Sequence, residues 1–316
     1  VDYRRLRPGQ RSRVHIGHRD GREPEVLFET DSILIEAPNW TLDGASLIVN
    51  GNGRLFSLAV DGSTGPRPIP LLGVPPLNND HVLAPDGKHI FVSANDGHIY
   101  RAALAGGATE RITAAGRSGR LHFLHGVSPD GQTLAYIGLD PAGAGGWAGG
   151  DVFTVAAAGG TDTRLTTGGH AADGCEYSPD GQWIYFSTEA FTTVPGHAQI
   201  ARMRPDGSGT EQLSFDERVN WFPHLSPDGR SAVYLAYPSG TTGHPADVEV
   251  DVMAVENQDW SAPRRVQRLL GGQGTINVNS WAPDSARFAY ISYPSAAQGS
   301  TARRPIEARP GATRGR

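Results

Sequence analysis

Five of the chain's eleven histidines, His81, His122, His125, His170 and His224, fall four to eleven residues before a recurring aspartate. Those aspartates are Asp43, Asp86, Asp130, Asp180, Asp228 and Asp284. The same windows hold Glu36 and Asn39, Asn79 and Asp80, Asp173 and Glu176, Asn220 and Trp221, and Gln273 and Asn277. Imidazole titrates near neutrality and is the commonest neutral metal ligand. Several imidazoles brought together with an amide or carboxylate could move protons or hold a Mn, Zn, Ca or Fe ion. His125, with His170 and His122 as further bases, is the candidate for proton transfer. Glu36, Asn39, Asn79, Asp173, Glu176, Trp221 and Asn277 are the candidates to orient a substrate. For each lone histidine the competing reading is a hydrogen bond to a neighbouring strand.

The elements that must position these side chains follow from the aspartates themselves. Each sits in a copy of one phrase: TLDG (41–44), APDG (84–87), SPDG (128–131, 178–181 and 226–229) and APDS (282–285). The aspartates are 43, 44, 50, 48 and 56 residues apart, a period that marks a propeller or solenoid array. Short β-like runs flank each copy, as CEY and WIYFS flank Asp180-Gly181. Pro sets φ, Asp bonds local backbone and Gly accepts positive φ, so the phrase is a hairpin turn. Two further strands follow in most copies, and four antiparallel strands make one blade. The reading is all-β: a six-bladed propeller spanning 1–296. RVHIGH (13–18) and EVLFE (25–29) complete the last blade and so close the ring. In such a ring the windows before each aspartate enter the innermost strands at one mouth of the central channel.

These repeats resemble the TolB-type, WD40-like (PD40) propeller repeat, whose consensus is Ser-Pro-Asp-Gly followed by an apolar strand. The resemblance covers about residues 12–293 and includes EAPNW (36–40), NNDH (78–81), HGVSPDG (125–131), NWFPH (220–224) and GGQGTIN (271–277). It departs from the pattern at Leu42 and Ser285, where Pro and Gly are expected. Oligogalacturonate lyases are propellers of this repeat type that place His and Gln groups on a channel-mouth metal. That resemblance implies His224 and Gln273 as metal ligands, with His81 and His125 added by convergence. It implies a lyase or hydrolase, metal-assisted, acting on a small carbohydrate-like substrate at the mouth. The alternative is a non-catalytic, TolB-like scaffold for a protein partner on an end face, or a small-molecule-binding protein.

Composition narrows the classes further. The net charge of -5 argues against a nucleic-acid surface, and a lone cysteine, Cys175, excludes an intramolecular disulfide. Nothing approaches the ~18 apolar residues of a membrane span. The basic start leads into no apolar run, so a cytoplasmic protein is expected, or an exported one whose signal has been removed. Glycine-rich 141–150 lacks the Lys of a phosphate loop, which argues against a nucleotide cofactor; it reads as a mobile loop over the mouth. The stretch 297–316 reads as a disordered tail. Asp247, Glu249 and Asp251 alternate on one strand face and read as a solvated edge. Trp40 and Trp281 read as blade packing, with Trp221 the best sugar platform.

Overall fold

The Ser-Pro-Asp-Gly phrase builds the same turn wherever it occurs. Asp130 Oδ1 accepts from Ser128 Oγ at 2.6 Å and from the Gln132 amide at 3.0 Å, and Gly131 takes φ 72°. Asp180 and Asp228 repeat the bond to Ser178 and Ser226 at 2.6 Å. Where the phrase departs from the pattern the turn still closes. Thr41 stands in for Ser and donates to Asp43 at 2.7 Å, while Ser285 adopts φ 56° in place of glycine.

The computed structural model describes residues 3–114, 119–141 and 149–295. Six antiparallel blades follow one another around an axis. Blades 1 to 5 are four-stranded sheets whose innermost strands are Glu36–Trp40, Leu77–Leu83, Leu121–Val127, Ala172–Tyr177 and Val219–Leu225. Blade 6 joins the two ends of the chain: Arg287–Ser292 pairs with Ser12–His18, which pairs with Glu25–Thr30. Its innermost position is reduced to a single bridge, Trp281 to Phe288. The N-terminal strands thus cover what would be an open sheet edge. No helix among the described residues is long and apolar enough to cross a membrane. The expectations for 142–148 and for the tail from 296 fall outside the described residues.

Apolar packing sits between blades, because a four-stranded sheet cannot bury both faces alone. Blades 1 and 2 meet through Ile48, Leu55, Ile90 and Val92, and blades 5 and 6 through Trp221, Val233, Trp281 and Phe288. Polar clasps repeat at these seams. Asn39 Oδ1 accepts from the Leu83 amide of blade 2 at 3.0 Å, and Glu176 Oε1 accepts from the Leu225 amide of blade 5 at 2.9 Å.

Every one of the five innermost strands carries a register break, between Glu36 and Asn39, Leu77 and His81, Leu124 and Gly126, Asp173 and Glu176, and Trp221 and His224. A bulge bends the strand and re-aims side chains. His125 is the unpaired residue of its bulge, whereas His81 and His224 lie on regular ladder positions past theirs. The solvated-edge reading of the acidic stretch in blade 5 holds for Glu249, which is exposed, and is corrected for Asp251, which is buried between Arg218 and Arg268 at 2.5 and 2.8 Å. Asp247 is held by Arg4 and Gln10, each at 2.6 Å.

Candidate functional site

The innermost strands all run from one end of the ring toward the Ser-Pro-Asp-Gly turns at the other. The connections into these strands therefore share an end with the loops joining each second strand to its third. At that end a cavity of about 490 Å³ opens. Its polar wall is built from Asn79, Asp80, His125, Asp173, His244 and Gln273, and its apolar wall from Phe123, Ile137, Leu139, Trp221 and Phe222.

Asp173 lies at the centre of the polar wall. Its Oδ1 is 3.1 Å from His125 Nε2, and its Oδ2 is 2.9 Å from His244 Nε2. His244 Nδ1 reaches Gln273 Oε1 at 2.6 Å, and Gln273 Nε2 donates to Asn79 Oδ1 at 3.1 Å. With that amide orientation both partners of His244 are acceptors, so the ring carries a proton on each nitrogen. Asp80 accepts from Asn78 Nδ2 at 2.9 Å.

Local backbone geometry supports this arrangement. Phe222 is fully buried yet adopts φ 58°, a conformation that is costly for a bulky side chain. Its ring meets His244 edge-on with centroids 5.1 Å apart and lies 6.0 Å from His125. Trp221 adds a second edge contact to His244 at 5.0 Å. The same left-handed conformation recurs at the matching positions of blades 1 and 4, Ala37 and Gly174, so it belongs to the bulge of the repeat.

The charges are shifted apart. Burial drives the Asp80 carboxyl up to about 6, against the opposing pull of His125. Burial alone would depress His125, but the Asp80 charge and the bond to Asp173 outweigh it and hold it at about 9. His244 is likewise penalised by burial, and its bond to Asp173 raises it nonetheless. Burial would raise Asp173, but the two imidazoles hold it well below the usual carboxylate range.

No protein-family model matches the chain. An uncharacterized protein of Agrobacterium fabrum is 34% identical over 287 residues, covering 90% of this chain and 92% of the relative. A structure from Agrobacterium tumefaciens reported as a TolB superposes with a TM-score of 0.81 at 33% identity, over 90% of this chain and 98% of that one. The chain belongs to this family of TolB-like propellers. An oligogalacturonate lyase solved with manganese shares the fold, with a TM-score of 0.52 at 13% identity over 85% of this chain and 75% of that one.

Of the residues singled out in the sequence of this TolB-like propeller, the cavity brings together His125, Gln273, Asn79, Asp80, Asp173, Trp221 and Asn277. The others lie elsewhere. His224 clasps blades together, with Nδ1 on Glu176 at 2.6 Å and Nε2 on the Ile276 carbonyl at 2.5 Å. His81 turns toward the Ile48 carbonyl of blade 1 at 3.4 Å. His122 bonds the Gly97 carbonyl at 2.6 Å and stacks on His98. His170 is exposed and lines a separate surface depression beside Leu165 and Phe191. Asn39, Glu176 and Asn220 serve blade seams, and Glu36 is buried against Arg4 at 3.3 Å.

The quartet His81, His125, His224 and Gln273 therefore does not form one ligand set for a divalent ion. Both nitrogens of His224 are occupied, and His81 faces the seam with blade 1. Among the described residues no three His, Cys, Asp or Glu side chains are grouped as a metal site requires. Sequence reasoning passed over His244 and Phe222. The only signal for His244 was its place in the long loop YPSGTTGHPADV (237–248), at no repeated offset from a turn aspartate.

Proposed function

We propose that this propeller is an acid–base enzyme acting on a small carbohydrate-like substrate held in the cavity. The reading is carried by one observation: the Asp173 carboxylate shared between His125 and His244 on the cavity wall, at 3.1 and 2.9 Å. Asp173 holds His244 as an imidazolium, the form that donates a proton. Asp80, lifted to about 6 by burial, is ionised near neutrality while still basic enough to accept one. Two titratable groups pushed apart on one wall are the usual mark of an acid and its base. Phe123, Ile137 and Leu139 give the cavity an apolar lining, which suits a ring with one hydrophobic side. The cavity volume of about 490 Å³ accommodates a small saccharide.

The test is turnover of a panel of glycosides and uronides, followed by NMR between about pH 5 and 9. The wild type is expected to consume at least one substrate. Asp80→Asn and His244→Gln should each lose about a hundredfold or more in rate. A folded wild type that converts nothing in the panel overturns the reading.

A further inference from the structure

The charges lining the cavity restrict its substrate. Among the described residues no Lys or Arg lines it, while three carboxylates do: Asp80, Asp173 and Glu189. The two imidazoles are already engaged. His244 has both nitrogens bonded, to Asp173 and Gln273, and His125 Nε2 is bonded to the same Asp173. His125 Nδ1 is buried, and the Asn277 backbone lies beside its ring. Arg4, a nearby guanidinium, is held behind the wall by Glu36 at 3.3 Å and Asp247 at 2.6 Å.

A carboxylate entering this space would leave water for a wall whose two imidazoliums are already balanced by Asp173 and Asp80. It would meet the remaining charge of Glu189 with no Lys or Arg to pair with. Burying a charge without a partner is strongly unfavourable. The neutral donors and acceptors of Asn79, Thr242, Gln273 and Asn277, by contrast, suit hydroxyl groups.

We infer that the cavity takes an uncharged glycoside and rejects uronates, so that its reaction is hydrolysis and not elimination. This deepens the acid–base reading above and rests on it. β-Elimination from a sugar removes a proton made acidic by a neighbouring carboxylate, which an uncharged glycoside lacks. Hydrolysis needs only water as co-reactant. Asp80 takes a proton from the water, whose oxygen bonds to the anomeric carbon. The glycosidic C–O bond breaks with its electron pair going to the leaving oxygen, and that oxygen receives the Nδ1 proton of His244, displacing Gln273 as its acceptor. Proton exchange with solvent then restores both groups.

The test compares binding of methyl glycosides, the matching uronates and the matching amino sugars to the full chain by saturation-transfer NMR and calorimetry. Neutral glycosides should bind, with uronates weaker by about tenfold or more, a gap of about 1.4 kcal/mol. Glu189→Gln removes one of the three lining charges and should narrow the gap without changing the fold. Uronates binding as tightly as neutral sugars, or amino sugars binding more tightly than either, would overturn the inference while leaving the acid–base reading in place. If none of the three classes binds, both fall together.

Discussion

Arg4 donates through Nη2 to Asp247 Oδ1 at 2.6 Å, so a residue near the start of the chain holds the strand that follows the His244 loop. Nη1 of the same guanidinium donates to the Gln273 carbonyl at 2.9 Å, and its plane lies 4.0 Å from the centre of the Tyr293 ring. One side chain thus ties together the two segments that hold His244. Arg4→Met should destabilise the protein by about 3 kcal/mol, because Glu36 is left buried without its cation and Asp247 keeps only the exposed Arg7. Arg4→Lys should recover only part of this, since an ammonium cannot reproduce the planar fork. Urea unfolding checks the magnitude. Loss of NOEs between the His244 ring and the Trp221 and Phe222 rings checks the local effect. Stability and NOEs matching the wild type would show that Arg4 holds neither segment.

The pH dependence of turnover should follow the two shifted groups. Rate should rise as Asp80 deprotonates near its raised value of about 6. It should fall on the alkaline side as His244 loses its proton, at a pH above the ordinary imidazole value of 6.5. Asp80→Asn should abolish the acidic limb in the residual rate. A profile flat from about pH 5 to 8 would remove Asp80 from proton transfer.

Acid should weaken the fold partly through His81. Burial depresses this imidazole from 6.5 to about 4, so the unfolded chain takes up its proton first as pH falls. Its neutral burial therefore costs nothing above pH 6.5, and stability is lost progressively as pH falls from 6.5 toward 4. At pH 5 this amounts to about 2 kcal/mol. His81→Gln should flatten that portion of the curve, measured by chemical unfolding at about pH 7 and pH 5. An unchanged slope would mean that His81 is not the group responsible.

Two equivalent positions before the turns make a paired test of backbone strain. Ala37 adopts φ 53° in blade 1, and Gly174 adopts φ 64° in blade 4. Ala37→Gly should be neutral or stabilising by up to about 1 kcal/mol, because glycine reaches this region without a Cβ penalty. Gly174→Ala should destabilise by about 1–2 kcal/mol. Its new Cβ would also stand 3.1 Å from the Phe222 ring, so ligand affinity should fall along with the melting temperature.

Much of the architecture was readable because hairpin turns are local. Ser128, Asp130 and Gly131 close their turn through bonds spanning two to five residues, and six such turns at blade spacing leave few alternatives to a propeller. The closing strands were readable because the last repeat runs out of apolar alternation after Ser292. Which side chains meet in the cavity was a different matter. His81 and His125 share one offset from their aspartates, but a bulge turns His125 into the cavity while His81 keeps its ladder position and faces blade 1. Where a bulge falls is decided by packing between blades, among residues tens of positions apart. His244 reaches Asp173 across 71 residues, and Arg4 reaches Asp247 across 243. No local pattern records such pairs, because closure of the ring is what brings the loops and the N-terminal segment to the same mouth.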